Sequence, residues 1–175
     1  MKIIVFFLSV LFLFAFPGDN LFAQHRKLTV ILLRHAEKDV SEGADAVNSE
    51  LSAAGKTRAE KLVEIINKYQ PDAIYSSGYI RTRETARPLA RRRRMMIQIY
   101  DTRGLGQMKE LILSGKIKRV VVVGHNTTTP ALANLLIGQE KYKPLAETEY
   151  DKIWIIKIKR KRYKPYVVRE QFITH

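Results

Sequence analysis

Two histidines and two arginines are conspicuous in this chain because of what precedes them. "KLTVILLRHAEK" ends an apolar run at Arg34 and His35, and "RVVVVGHN" ends another at His125. Arg81 opens the polar stretch that follows "AIYSSGYI", and Asp101 follows "MIQIY". Charged groups at the end of a buried strand are costly unless an opposite charge meets them. Arginine offers planar, paired donors that match phosphate oxygens. Imidazole is neutral and nucleophilic near pH 7. Together these residues describe a pocket for a tetrahedral anion, with a histidine able to attack it. Singly, each has a plainer role: a hydrogen-bonded structural histidine, a solvated helix arginine, an aspartate capping a turn. The joint arrangement carries the reading. A metal site needs three or four clustered ligands. With no cysteine and no close His/Asp/Glu grouping, neither a metal nor another cofactor is expected.

The elements that must position these residues are legible. "KLTVILL" (27–33) reads as a strand buried on both faces, the kind found in parallel sheets. The polar stretch 41–50 is a loop, and Ser52 fits the N-cap of a helix over about 53–69. "AIYSS" (73–77) is a short strand. "RTRETARPLARR" is a helix that Pro88 bends or shortens. A strand at 96–100, a helix at 106–114 and the strand "RVVVVG" (119–124) follow. Thr129-Pro130 starts a helix that runs to Gly138. Strands at 152–159 and 166–172 form a closing hairpin around a basic turn. Alternation of this kind predicts a three-layer α/β/α sandwich with a mostly parallel sheet. In open α/β sheets ligands bind outside the carboxyl ends of the strands, which is where Arg34, His35, Arg81, Asp101 and His125 fall. As a strand-end side chain, His35 is expected to face solvent.

The first residues stand apart from the fold. Lys2 precedes an apolar run from Ile3 to Phe16, then Pro17, Gly18 and a small residue, Ala23. This is the pattern of a secretory signal peptide over 1–23, leaving a domain over 24–175 and implying export to a periplasm or the exterior. The alternative is an uncleaved N-terminal anchor, although the run is short for a membrane span, which needs about 20 residues. The net charge of +14 favours anionic partners: a small phosphorylated molecule, a phosphorylated envelope component or an anionic surface. Arg91 to Arg94 read as a solvated loop between a helix and a strand, with a landing patch for an anionic polymer or membrane surface as the rival reading. No nucleic acid is expected, because stacking aromatics are sparse near that run. Nothing in the sequence fixes an oligomeric state.

Four segments, in order, resemble the histidine phosphatase superfamily, the phosphoglycerate mutase-like fold. "LLRHAEK" is similar to its arginine-histidine motif. "LSAAGKTRAEKL" is similar to its helix start, "IYSSGYIRTRETARPLA" to its second motif, and "VVVGHN" to its strand ending in Gly-His. The resemblance implies that His35 is the nucleophile that becomes phosphorylated. It implies that Arg34 and Arg81 clamp the phosphate, and that His125 donates a hydrogen bond to it. Physical chemistry agrees with that scheme. Charge in a phosphoryl transition state spreads over the equatorial oxygens, so cationic positioning does most of the work. Covalent capture divides one difficult displacement into two easier ones.

One part of the pattern departs. Relatives often carry an acidic proton donor in an insert after the third strand, and here that segment is short. Asp101 is the acid in the matching region, Glu37 is the alternative, and neither is the third possibility. A short insert implies a small cap and an open pocket, which favours a phosphatase over a mutase. The reading is thus an exported, metal-independent phosphomonoester phosphatase. Two alternatives stand beside it: a phosphohistidine protein phosphatase, and a non-catalytic polyanion-binding surface protein on the same fold.

Overall fold

The computed structural model describes residues 27–159 and the backbone of residues 164–172. The expected leader and the tip of the basic hairpin lie outside the described residues. Ten elements follow one another: β1 (Lys27–Arg34), α1 (Ala53–Asn67), β2 (Ala73–Ser76), α2 (Ile80–Arg93), β3 (Ile97–Ile99), α3 (Leu105–Leu113), β4 (Arg119–Gly124), α4 (Thr128–Ile137), β5 (Lys152–Lys159) and β6 (Lys164–Phe172). They build one six-stranded sheet in the order β3-β2-β4-β1-β5-β6. The strands β1 to β4 are parallel, and β5 and β6 close one edge as an antiparallel hairpin.

Residue alternation along the strands assigns the layers. Leu28, Val30 and Leu32 of β1 and Val120 and Val122 of β4 pack with Met108 and Ile112 of α3 and Leu132 and Leu136 of α4. The intervening Ile31, Leu33, Val121 and Val123 pack with Leu62 and Ile66 of α1 and Ala86 and Leu89 of α2. Both faces of β1 and β4 are therefore apolar, as a central parallel strand requires. Complete burial of one such side chain contributes roughly 1.5–3 kcal/mol. Trp154 of β5 is 1 % exposed and meets the Tyr142 ring edge-on at 5.6 Å, filling the α3/α4 side.

Local signals set the ends of the helices. Ser52 caps α1, its Oγ accepting from the Gly55 N–H at 3.1 Å. Gly138 ends α4 with φ of 70°, a conformation glycine adopts at little cost. Pro88 does not cut α2 short: the helix runs through it to Arg93. Pro88 is buried in the groove between α1 and α2, beside Leu51 and Ala59, where packing offsets the one hydrogen bond that proline removes.

Candidate active site

The register of two strands brings the histidines together across 90 positions of sequence. In the parallel pairing of β1 with β4, Arg34 lies opposite Gly124. His35 and His125 are the next residues of each strand, and the His35 N–H donates to the Gly124 carbonyl at 2.9 Å. Adjacent strands lie about 4.8 Å apart, and the two imidazole centroids are 5.4 Å apart. A side chain on Gly124 would disrupt this junction, since a Cβ there would sit 2.8 Å from Thr129 Oγ1 and from Tyr100 Oη.

His35 is held in one tautomer. Its Nδ1 lies 2.7 Å from the Ala36 carbonyl oxygen, which can only accept, so the proton is on Nδ1 and the lone pair on Nε2. Arg81 Nε–H donates to that Nε2 at a long 3.3 Å. Contrary to the expectation of a solvent-facing side chain, His35 is 3 % exposed. The strand end is roofed by Tyr150, whose ring centroid is 5.9 Å from the imidazole. Burial lowers the His35 pKa to about 3, with Arg34, Arg81 and His125 adding to the fall against the opposing bond to Ala36. The cationic neighbours that the sequence singled out therefore matter less than burial.

His125 Nε2 lies 2.8 Å from Ser77 Oγ, which in turn lies 2.8 Å from Thr82 Oγ1. Thr82 Oγ1 donates to backbone carbonyls of Ser77 and Tyr79. The chain of donors then runs from His125 Nε2–H through Ser77 to Thr82. Burial, then Arg81 and Arg34, lower the His125 pKa to about 4. Both imidazoles are neutral at pH 7.

The arginines are fixed by backbone rather than by acids alone. Arg34 is 3 % exposed. Its Nη1 donates to the carbonyls of Ala146, Glu147 and Glu149 at 2.8, 3.1 and 3.1 Å. Its guanidinium lies 4.1 Å over the Tyr150 ring, and its buried Nε has no hydrogen-bond partner among the described residues. A buried donor without a partner is expensive, and beside two neutral imidazoles it suits an anionic oxygen. Arg81 donates from Nη1 to the Val47 carbonyl at 2.9 Å and lies 4.4 Å over the Tyr79 ring. Arg34, His35, Arg81 and His125 thus meet at one end of the sheet.

The remaining motif residues are scaffold. Thr85 Oγ1 accepts from the Ala36 N–H at 2.9 Å, just past the histidine, and donates to the Arg81 carbonyl at 2.7 Å. Glu84 accepts from the Leu51 N–H at 2.9 Å, and Asn48 Oδ1 accepts from the Ile80 N–H at 2.8 Å. At Gly55 a Cβ would sit 2.2 Å from the Glu37 carbonyl oxygen, so glycine lets α1 press against the loop behind His35.

The two acids suggested by the sequence are engaged elsewhere. Asp101 Oδ1 accepts from the backbone N–H and Nε of Arg103, within the turn before α3. Those bonds hold its carboxyl below the usual range, and no bond joins it to either histidine or to Arg34 or Arg81. Glu37 makes a forked pair with Arg58, with contacts of 2.7 to 3.0 Å. The carboxylate bonded to the pocket is Glu147, in the α4–β5 connection. Its Oε2 accepts from Arg34 Nη2 at 3.0 Å and its Oε1 from Asn126 Nδ2 at 2.9 Å. Sequence reasoning passed over it. The available signal was "AETEYD" (146–151), an acidic stretch in a chain of net charge +14, lying just before a buried strand.

Residues 30–105 match the family model of the histidine phosphatase superfamily (branch 1). A glucosyl-3-phosphoglycerate phosphatase of Mycobacterium tuberculosis is 33% identical over 81 residues, 45% of this chain and 36% of that protein. The chain therefore matches about a third of the length of that curated relative. Among solved structures, a mycobacterial glucosyl-3-phosphoglycerate phosphatase superposes with a TM-score of 0.66 at 17% identity, covering 84% of this chain and 98% of the other. The protein histidine phosphatase SixA, solved with tungstate, superposes with a TM-score of 0.67 at 12% identity, covering 83% and 97%. These likenesses establish the three-layer fold.

Proposed function

We propose that this protein is a metal-independent phosphatase that hydrolyses phosphomonoesters through a phosphohistidine on His35. The single observation that carries the reading is the His35 Nε2 lone pair, fixed by the Ala36 carbonyl beside Arg34, Arg81 and His125. In the proposed step that lone pair attacks phosphorus. Arg34 Nε and the Arg81 guanidinium hold the phosphoryl oxygens, supplying the positioning and charge that this chemistry needs. His125 completes the pocket. The two arginines supply the positive charge that a metal ion gives in other phosphatases.

The substrate class we favour is a small phosphorylated molecule, in keeping with the name of the curated relative, a glucosyl-3-phosphoglycerate phosphatase. The connection from β3 to β4 is short, with α3 as its one helix, and a short connection there favours a phosphatase with few contacts to the leaving group. Hydrolysis of p-nitrophenyl phosphate tests the reading. Turnover should proceed in EDTA and stop in His35→Ala. Strict dependence on a divalent ion, or a fully active His35→Ala enzyme, would sink it.

We further propose that residues 1–23 direct export and are removed. The apolar run from Ile3 to Phe16 behind Lys2 supports this. Intact-mass measurement of protein recovered from a bacterial periplasm should show the loss of 1–23. A full-length chain retained in the membrane fraction would replace export by anchoring.

A further inference from the structure

The site contains a carboxylate that the sequence motifs do not supply. Glu147 is bonded to Arg34 and to Asn126, the residue after His125, and it contributes to the electrostatic environment of Arg81. Its side chain is 71 % exposed while that of Arg34 is 2 % exposed. Glu147 therefore stands at the mouth, with its carboxylate between buried guanidinium and solvent.

Other acids near the pocket are committed. Asp101 is held by Arg103 and Glu37 by Arg58. The Glu149 carboxylate accepts from the Ala146 N–H and from Lys152. Among the described residues, Glu147 is the one carboxylate hydrogen-bonded to either arginine of the pocket. Its connection is itself fixed, because the backbone carbonyls of Ala146, Glu147 and Glu149 all bind Arg34. The arginine that orients phosphate thus also orients the loop carrying the acid.

We propose that Glu147 is the proton-transfer residue of the phosphatase reaction, a catalytic residue in the α4–β5 connection rather than after β3. This rests on the phosphatase reading above. A phosphate dianion held by Arg34 lies beside the Glu147 carboxylate, and in the proposed reaction that carboxylate carries a proton when the substrate is in place. The proton comes from solvent as substrate binds. His35 Nε2 then attacks phosphorus and the P–O bond to the leaving group breaks. Its electron pair goes to the ester oxygen, which takes the Glu147 proton. In the second step water attacks phosphorus and gives a proton to the Glu147 carboxylate. The P–N bond breaks and its electron pair returns to Nε2. Phosphate leaves, Glu147 releases that proton to solvent, and both residues are restored.

The test compares Glu147→Gln with wild type on two esters. p-Nitrophenol departs readily without a proton, and an alkoxide does not. Glu147→Gln should lower kcat/KM for an alkyl phosphate about 10²-fold or more, and for p-nitrophenyl phosphate by less than about 10-fold. Glu147→Asp should recover part of the alkyl activity. Unchanged thermal melting would exclude misfolding, which the exposure of Glu147 makes a fair comparison. Equal loss on both esters would overturn the proposal, as would a leaving-group-dependent loss in Asp101→Asn instead. So would a Glu147→Gln enzyme with lower KM, tighter inhibition by inorganic phosphate and undiminished kcat, since the carboxylate would then be a plug on the anion site. A wild type inactive on both esters would instead remove the phosphatase reading itself.

Discussion

The molecule has two arginine-rich regions, and they are built differently. At the carboxyl end of the sheet, Arg34 is buried, its Nη1 and Nη2 bonded to three carbonyls and one carboxylate and its Nε left without a partner among the described residues. At the end of α2, Arg91, Arg92 and Arg94 are exposed. Arg91 pairs with Glu60 at 2.8 Å across two exposed side chains, while Arg93 is tied to Gln70 and the Pro71 carbonyl. The run of four has more charge, and the pocket has more function. Water screens exposed guanidinium groups, and exposed pairs contribute about 0–1 kcal/mol. A desolvated guanidinium held in one orientation can select an oxyanion.

His35→Ala gives the largest expected effect, a loss of kcat of at least about 10³-fold, because removing a nucleophile removes the covalent route. Circular dichroism should show the fold retained. A smaller loss would mean that the pocket's value is binding alone. Arg34→Ala should cost about 10²-fold in kcat/KM and also about 3 kcal/mol of stability, since a buried guanidinium is removed and the three carbonyls of the 146–149 connection lose their shared donor. Urea titration reads the second number, and an unchanged midpoint would show that the 146–149 loop is held by something else. Arg34→Lys should keep the charge yet recover little activity, because an ammonium cannot span the same acceptors.

Acid should weaken the folded state through the two histidines. Their folded pKa values, about 3 for His35 and about 4 for His125, lie below the value of about 6.5 expected unfolded. Below pH 6.5 the unfolded chain binds protons that the folded chain does not, so stability falls as pH falls, down to the folded values. The slope is on the order of 1 kcal/mol per pH unit for each histidine. Denaturation midpoints between pH 7 and 4.5 test this, and a flat profile would mean that the imidazoles are better solvated than they look. The smallest effect belongs to the other region. Replacing Arg92 and Arg94 together by alanine should change stability by about 0.5 kcal/mol or less and kcat/KM on p-nitrophenyl phosphate by less than about twofold. A large loss of activity would reveal that the exposed run steers substrate.

Much of this architecture was written in local pattern. The unbroken apolar character of β1 and β4 announced parallel central strands, and Ser52, Thr129-Pro130 and Gly138 marked helix ends to within a residue or two. The edges were less legible: β3 spans only Ile97–Ile99, shorter than the 96–100 expected, because an edge strand has one partner to define its length. The catalytic candidates at strand ends were also visible, since histidine and arginine after an apolar run violate the cost of burying charge.

What only tertiary structure decided is which polar groups answer one another. Sequence order offered Asp101 and Glu37 as acids for the pocket, yet folding ties each to an arginine of its own and brings Glu147 to Arg34 across 113 positions. It also buried His35, which strand-end position alone suggested was open to solvent. Strand register and side-chain alternation repeat over two to four residues, so a linear chain displays them. A hydrogen bond between distant loops depends on how the β1–β4 and β1–β5 pairings are assembled in three dimensions, and no local pattern encodes that distance.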